Sequence, residues 1–134
     1  MEQKQILIVD KMHPSISEML EGIGTIPIYK PEIQPDEIAL QIKDSFGLVI
    51  RSKAKVDEAL LQYATKLKFV ARAGAGVDGI DTQYLKRKKI HLISAPEGNR
   101  DAVGEHTVGL MLAVLNKFVP AHNEIIGFQF NRES

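Results

Sequence analysis

The chain has 134 residues, of which 44% are hydrophobic and 25% charged, which is typical of an ordinary soluble globular domain. Lys plus Arg and Asp plus Glu number 17 each, so no net charge favours nucleic acid or an anionic membrane as a partner. Cysteine is absent, which excludes disulfides and thiolate metal sites, and the apolar runs are too short for a signal peptide or a transmembrane helix, so a cytoplasmic location is expected.

The apolar residues switch repeatedly between a strand-like and a helix-like period. The predicted strands are, in chain order, QILIVD, TIPIYK, LVIRS, LKFVARAG and IHLIS. The predicted helices are PSISEMLEGIG, QPDEIALQIKDSFG, KVDEALLQYATK, DTQYLKRKK and NRDAVGEHTVGLMLAVLNKFV. Pro27 favours a sheet edge for the second strand, because proline lacks the N–H that a central strand donates. The tail PAHNEIIGFQFNRES shows no clear period.

This alternation predicts an α/β fold, a doubly wound parallel five-stranded sheet with helices on both faces. In such folds ligands bind beyond the carboxyl ends of the strands. The loops that follow the strands are therefore the first places to look for a site.

The last predicted helix is apolar around nearly its whole circumference, with Val103, Val108 and the run 110–115. A helix of this kind must be buried on all sides. One small sheet covers only one side, so we expect another domain or subunit to cover the rest. The alternative is a central helix of an unusually compact core.

The segment Gly74-Ala75-Gly76-Val77-Asp78-Gly79 matches the pattern G-x-G-x-x-G of dinucleotide sites. In those sites the helix begins at about the second glycine. Here good helix formers appear only from Gln83, with Asp81 as a suitable N-cap. The sequence therefore argues against a dinucleotide site in this loop.

The same loop is a candidate anion site. Gly74 and Gly76 leave backbone N–H groups unobstructed at the end of a strand. Arg72 precedes the loop and Arg51 ends the neighbouring strand, and guanidinium groups match carboxylate or phosphate. A small organic acid is the ligand that this pattern favours. The alternative is that both arginines form surface salt bridges.

The stretch from Leu48 to Lys117 contains R-S, then R-A-G-x-G-V-D-x-I-D, then A-P-x-G-N, and finally E-H-T on a helix. In this combination it resembles the D-isomer-specific 2-hydroxyacid dehydrogenases, and within them the branch that acts on D-3-phosphoglycerate in serine biosynthesis. The resemblance is looser over residues 6–46.

The resemblance implies a flavodoxin-like substrate-binding domain over residues 1–99. Residues 100–134 would be an interdomain helix and a tail that lead toward a separate NAD-binding Rossmann domain, and the helix would also join a homodimer. The family's dinucleotide fingerprint and its catalytic Arg, Glu and His have no counterpart in these residues. The 134 residues alone are therefore expected to be inactive.

The resemblance also implies roles for individual residues. The substrate-binding residues would be Arg51 and Ser52 on the substrate loop, Arg72 near the substrate phosphate, and the amides of Ala75, Gly76 and Val77 on its carboxylate. Ala75 would also lie near the nicotinamide, and Asn99 would lie in the hinge. The family often has Thr, Asn and Asn at Ala54, Gly79 and Ser94, so three side-chain hydrogen-bonding groups are missing here.

Other candidates have ordinary explanations. Glu105 and His106 are adjacent on a helix and so do not share a face, and no second histidine completes a zinc pattern. The basic run LKRKK is explained better by its place at a helix C-terminus, where positive charge is favourable, than by binding of nucleic acid. A non-catalytic flavodoxin-like binding or regulatory domain is the alternative function, although a receiver would need an Asp where the third strand ends in Arg51.

Overall fold

The computed structural model describes residues 4–131. The chain divides into two compact units, Met1–Pro96 and Glu97–Ser134. Each unit is described by itself.

The first unit is built on one sheet of five parallel strands. They are β1 Gln5–Ile8, β2 Ile26–Tyr29, β3 Gly47–Ile50, β4 Phe69–Arg72 and β5 His91–Ser94. Their order across the sheet is β2-β1-β3-β4-β5, so the predicted doubly wound α/β fold is confirmed. The chain moves outward from β1 to β2 and then returns to β3. This reversal creates a topological switch point between β1 and β3, where doubly wound folds bind their ligands.

The burial of the strands follows their apolar content. All four residues of β3 are buried, as are Ile6, Leu7 and Ile8 of β1, which is what a central strand covered on both faces requires. Pro27 lies in β2 at the edge of the sheet, as its missing N–H predicts.

Four α-helices and one short 3₁₀ helix connect the strands. They are α1 Ser15–Gly22, α2 Pro35–Gln41, the 3₁₀ turn Ile42–Asp44, α3 Glu58–Leu61 and α4 Thr82–Arg87. The prediction for the third helix was too long. After Leu61 the bonds from Tyr63 N to Leu60 O and from Ala64 N to Leu61 O tighten the chain into turns that end the helix.

Apolar clusters cover both faces of the sheet. On one face Leu48 and Val70 pack with residues of the helices α2, α3 and α4, among them Ile38, Leu60 and Leu85. On the other face a smaller cluster of Ile6, Ile8 and Val49 is packed by partly buried neighbours, including Ile16 and Leu20 of α1. The strands that carry the loops at their carboxyl ends are therefore packed on both faces of the sheet.

The second unit contains two helices, α5 Glu97–Leu115 and α6 Phe118–Ile126. The prediction of one helix through Val119 was wrong. Lys117 adopts a left-handed conformation, with φ 52° and ψ 37°, and separates the two. The tail also forms a helix that its period did not indicate. Pro120 lies in the first turn of α6, where its missing N–H has no helical partner to lose.

The side chains of α5 are not buried. Val108, Met111 and Leu112 are each exposed by half or more. That another domain or subunit covers this helix stays a prediction.

Candidate functional site

A cleft of about 360 Å³ opens at the carboxyl ends of β3 and β4. It is lined by residues 50–56 on one side and by Arg72, Gly79 and Ile80 on the other. We call residues 51–55 the β3 loop and residues 73–81 the glycine loop. The cleft brings together three of the predicted site residues, Arg51, Ser52 and Arg72.

Asp10, which lies two residues after the end of β1, holds the β3 loop in place. One carboxylate oxygen, Oδ2, accepts hydrogen bonds from the amides of Arg51 at 2.6 Å, Ser52 at 3.1 Å and Lys53 at 3.3 Å. Three consecutive amides thus converge on a carboxylate that the chain itself supplies. Sequence reasoning missed this residue, although an Asp next to a switch point was a usable signal.

Lys53 ties the β3 loop to a third segment. Its Nζ donates to the carbonyl oxygens of Pro31 and Ile33, the latter at 3.2 Å. Both carbonyls belong to the connection between β2 and α2. The backbone of the β3 loop is therefore fixed from two directions, and sequence reasoning did not find this contact either.

Arg72 lies against the glycine loop. A Cβ atom built on Gly74 would be 2.5 Å from Nη1 and 3.2 Å from Cζ of Arg72. A Cβ on Gly76 would be 3.9 Å from the same Nη1. The guanidinium thus packs over the backbone at Gly74, and glycine is needed there to let it approach.

Neither cleft arginine forms an ion pair with a carboxylate of residues 4–131, although Asp78 Oδ2 would lie 3.1 Å from a Cβ atom built on Gly76, to which Arg72 Nη1 would be 3.9 Å away. Ion pairs within residues 4–131 include those of Lys66 with Asp44 and of Arg100 with Asp101. Arg51 is exposed and Arg72 half-buried, and neither guanidinium has a hydrogen-bond or ion-pair partner within that range. The alternative that both arginines form surface salt bridges was wrong, and two cationic groups remain available for an anionic ligand.

The predicted carboxylate site lies on the glycine loop beside the cleft rather than in its lining. The amides of Ala75, Gly76 and Val77 have no acceptor among the described residues. By contrast, Gly74 N donates to Arg72 O at 2.9 Å and Ile80 N to Val77 O at 2.9 Å. The free amides therefore form a short run between two turns that are already satisfied. Such a run can donate hydrogen bonds to a carboxylate or phosphate oxygen.

The two loops are joined through Val56. Its N–H donates to Gly79 O at 2.8 Å, and its carbonyl accepts from Asp81 N at 2.8 Å. Together they form an isolated parallel bridge between Val56 and Ile80. We call this pair of bonds the Val56 clasp.

The glycine loop does not fit a dinucleotide. α4 begins only at Thr82, after Asp81 has capped it by accepting from Tyr84 N at 2.8 Å. In a dinucleotide site a helix N-terminus at the second glycine faces the pyrophosphate. The expectation from helix propensity is thus confirmed, because the loop lacks a helix N-terminus that would face a pyrophosphate.

The remaining candidates lie outside the cleft. Asn99 is in the first turn of α5, and its hinge role stays a prediction. His13 is exposed, with Nδ1 2.9 Å from Ser15 Oγ. Over residues 4–131 no three His, Asp or Glu side chains are grouped to hold a metal ion. None of the helices in that range is long and apolar enough to cross a lipid bilayer.

Comparison with known proteins agrees with this geometry. Residues 6–131 match the model of the D-isomer-specific 2-hydroxyacid dehydrogenase catalytic domain. The chain is 38% identical over 109 residues to D-3-phosphoglycerate dehydrogenase of Methanocaldococcus jannaschii, covering 81% of this chain and 21% of that protein. It is 36% identical over 110 residues to erythronate-4-phosphate dehydrogenase of Idiomarina loihiensis, covering 82% of this chain and 27% of that protein.

A solved structure of NAD⁺-bound 3-phosphoglycerate dehydrogenase from Entamoeba histolytica is also similar, with a TM-score of 0.70 and 29% identity. The match covers 83% of this chain and 39% of that one. The chain thus spans well under half the length of each of these relatives. With its sheet order, its arginine-flanked cleft and the family match along nearly its whole length, the chain belongs to the D-isomer-specific 2-hydroxyacid dehydrogenase family.

Proposed function

We propose that this chain is the substrate-binding part of an NAD-dependent D-2-hydroxyacid dehydrogenase, and that its substrate is D-3-phosphoglycerate. The observation that carries the proposal is the pair of unpaired arginines, Arg51 and Arg72, which flank the cleft beside free amides of the glycine loop. A ligand with a carboxylate at one end and a phosphate at the other matches that arrangement.

The two anionic ends are assigned to different parts of the site. The amides of Ala75, Gly76 and Val77 take the substrate carboxylate, because none of them has an acceptor among the described residues. Arg72 binds the phosphate, and the side chains of Arg51 and Ser52 contact the substrate from the β3 loop. The two curated relatives described above are named for phosphorylated hydroxy acids, which supports a phosphate contact as part of this proposal.

The chemistry requires groups beyond these residues. In the proposed reaction a hydride passes between C2 of the substrate and the nicotinamide of NAD, which a separate Rossmann domain binds. Ala75 lies near the nicotinamide, and Asn99 lies in the hinge between residues 1–99 and that domain. We further propose that the 134 residues alone bind substrate without turnover, and that the whole enzyme is a cytoplasmic homodimer of serine biosynthesis. The α5 side chains, apolar and exposed, support a dimer contact.

The test is an NMR titration of the ¹⁵N-labelled chain with D-3-phosphoglycerate, with D-glycerate and inorganic phosphate as controls. We expect saturable shifts in the amides of the β3 loop and the glycine loop, with a dissociation constant of about 1 mM or tighter, equivalent to about 4 kcal/mol of binding. The two controls each carry one anionic group and should bind more weakly. Absence of saturable shifts in both loops with D-3-phosphoglycerate would overturn the proposal.

The geometry offers no support for a free-standing regulatory domain of the receiver type. β3 ends at Ile50 and is followed by a cation, Arg51, where a receiver needs a carboxylate. An acetyl phosphate reaction would therefore find no acceptor at that position.

A further inference from the structure

We propose that Asp10 is a positioning residue, which sets the β3 loop in the conformation that presents Arg51 and Ser52 to the ligand. The inference rests on the proposed function for its ligand. It concerns a residue that touches the backbone of the loop and none of the groups assigned to the substrate.

The contact geometry carries the argument. The last ladder bond between β1 and β3 at this end runs from Val9 N to Val49 O at 3.1 Å. Beyond it the backbones of the two segments no longer pair, and the side chain of Asp10 takes over the connection. Its Oδ2 accepts three consecutive amides, of residues 51–53, at 2.6 to 3.3 Å. The turn at the end of β3 is therefore folded around a single oxygen atom.

No cation competes for this carboxylate. Within residues 4–131 Asp10 forms no ion pair and accepts no hydrogen bond other than those three. Its negative charge is thus balanced by amide dipoles of the β3 loop, and such charge-assisted bonds are stronger than neutral ones. Without the carboxylate, three adjacent N–H groups at the mouth of the cleft would lose their common acceptor.

The amides of the two loops then differ in whether they have an acceptor. Those of residues 51–53 in the β3 loop donate to the chain's own Asp10, whereas those of residues 75–77 in the glycine loop have no acceptor among the described residues. An incoming anion is therefore directed to the glycine loop, and the β3 loop offers it side chains rather than amides.

The experiment compares Asp10→Ala and Asp10→Asn with the wild-type chain. Glu37→Ala is the matched control, because Glu37 Oε2 also accepts a backbone amide, that of Gln34 at 2.9 Å, but at the start of α2 and away from the cleft. Affinity for D-3-phosphoglycerate is measured by calorimetry, stability by urea unfolding, and exchange of the amides of residues 51–53 by NMR. Each is repeated with added formate, a carboxylate small enough to replace the one removed.

Asp10→Ala is expected to weaken D-3-phosphoglycerate binding about tenfold and to speed exchange of the three amides by a similar factor, since each loses a charged acceptor. Formate should slow the exchange of the three amides again in Asp10→Ala and leave it unchanged in the wild type. Because formate also competes for the amides of residues 75–77, the affinity of Asp10→Ala is compared with that of the wild type at the same formate concentration, and the gap between them should narrow. Asp10→Asn keeps a side-chain oxygen but loses the charge. Its affinity and its amide exchange rates should therefore lie between those of the wild type and those of Asp10→Ala. Glu37→Ala should bind within about twofold of wild type.

Unchanged affinity in both Asp10 variants would overturn the proposal. An equal loss of affinity in Glu37→Ala, with no response to formate, would also overturn it, because the effect would then be a general loss of stability. If the wild-type chain binds no D-3-phosphoglycerate, the proposed function fails, yet the exchange rates and their response to formate still decide whether Asp10 sets the loop. Should Asp10→Ala fail to fold, Asp10→Asn supplies the same comparison.

Discussion

Replacing Arg72 by Met tests the proposed phosphate contact most directly. Arg72 is half-buried and forms no ion pair within residues 4–131, and Met preserves much of the aliphatic side chain. Stability should therefore change by less than about 0.5 kcal/mol. A hydrogen bond to a charged group contributes about 1.5 to 3 kcal/mol, so D-3-phosphoglycerate should bind roughly 10- to 100-fold more weakly.

The assay is isothermal titration calorimetry with D-3-phosphoglycerate, paired with urea unfolding of each variant. Arg87→Met is the control, because it removes the same charge from α4, where the guanidinium lies 5.4 Å from the Tyr84 ring centre, outside the cleft. Affinity for D-glycerate, which has no phosphate, should fall less than affinity for D-3-phosphoglycerate. Binding by Arg72→Met within twofold of wild type, or an equal loss in Arg87→Met, would refute the assignment.

Substitutions at three further positions test the same geometry. Gly47→Ala places a methyl group into the Phe69 ring and should cost about 1 to 3 kcal/mol in urea unfolding through overpacking. Asp81→Ala removes the cap of α4 and should cost about 1 kcal/mol, whereas Asp81→Asn should cost less. Gly74→Ala forces the Arg72 guanidinium to move and strains a backbone with φ 158°, so both its stability in urea unfolding and its ligand affinity in calorimetry should fall; wild-type values of both would contradict this.

The sequence predicted correctly those elements that depend mainly on residues close together in the chain. The apolar run of β3 indicated a strand and the proline of β2 indicated a sheet edge, and both are confirmed. Helix propensity also separated the glycine loop from a dinucleotide site, because the capping Asp81 is visible in the sequence. Pro120 misled the same reasoning, since a proline in the first turn of α6 looks in sequence like an interruption.

Contacts between distant segments escaped prediction. Asp10 is separated from Arg51 by 41 positions in sequence, and only the pairing of β1 with β3 brings them together. Lys53 and the carbonyl of Ile33 meet for the same kind of reason. Arg51 and Arg72 could be predicted because an arginine that follows or ends a strand is by itself a candidate anion-binding group. The groups that orient the loops could not be predicted, because their contacts depend on the order of the strands in the sheet.

The Val56 clasp has a consequence for anyone who would exchange loops between members of this family. Its two bonds to Gly79 O and Asp81 N fix the number of residues that can stand between β3 and Val56, and between β4 and Gly79. An insertion or deletion in one loop shifts the position of its bonding groups, and the other loop then loses its partners. Substitutions in the two loops should accordingly be non-additive. The β3 loop and the glycine loop should therefore be exchanged together, because a replacement that includes both loops preserves the Val56 clasp.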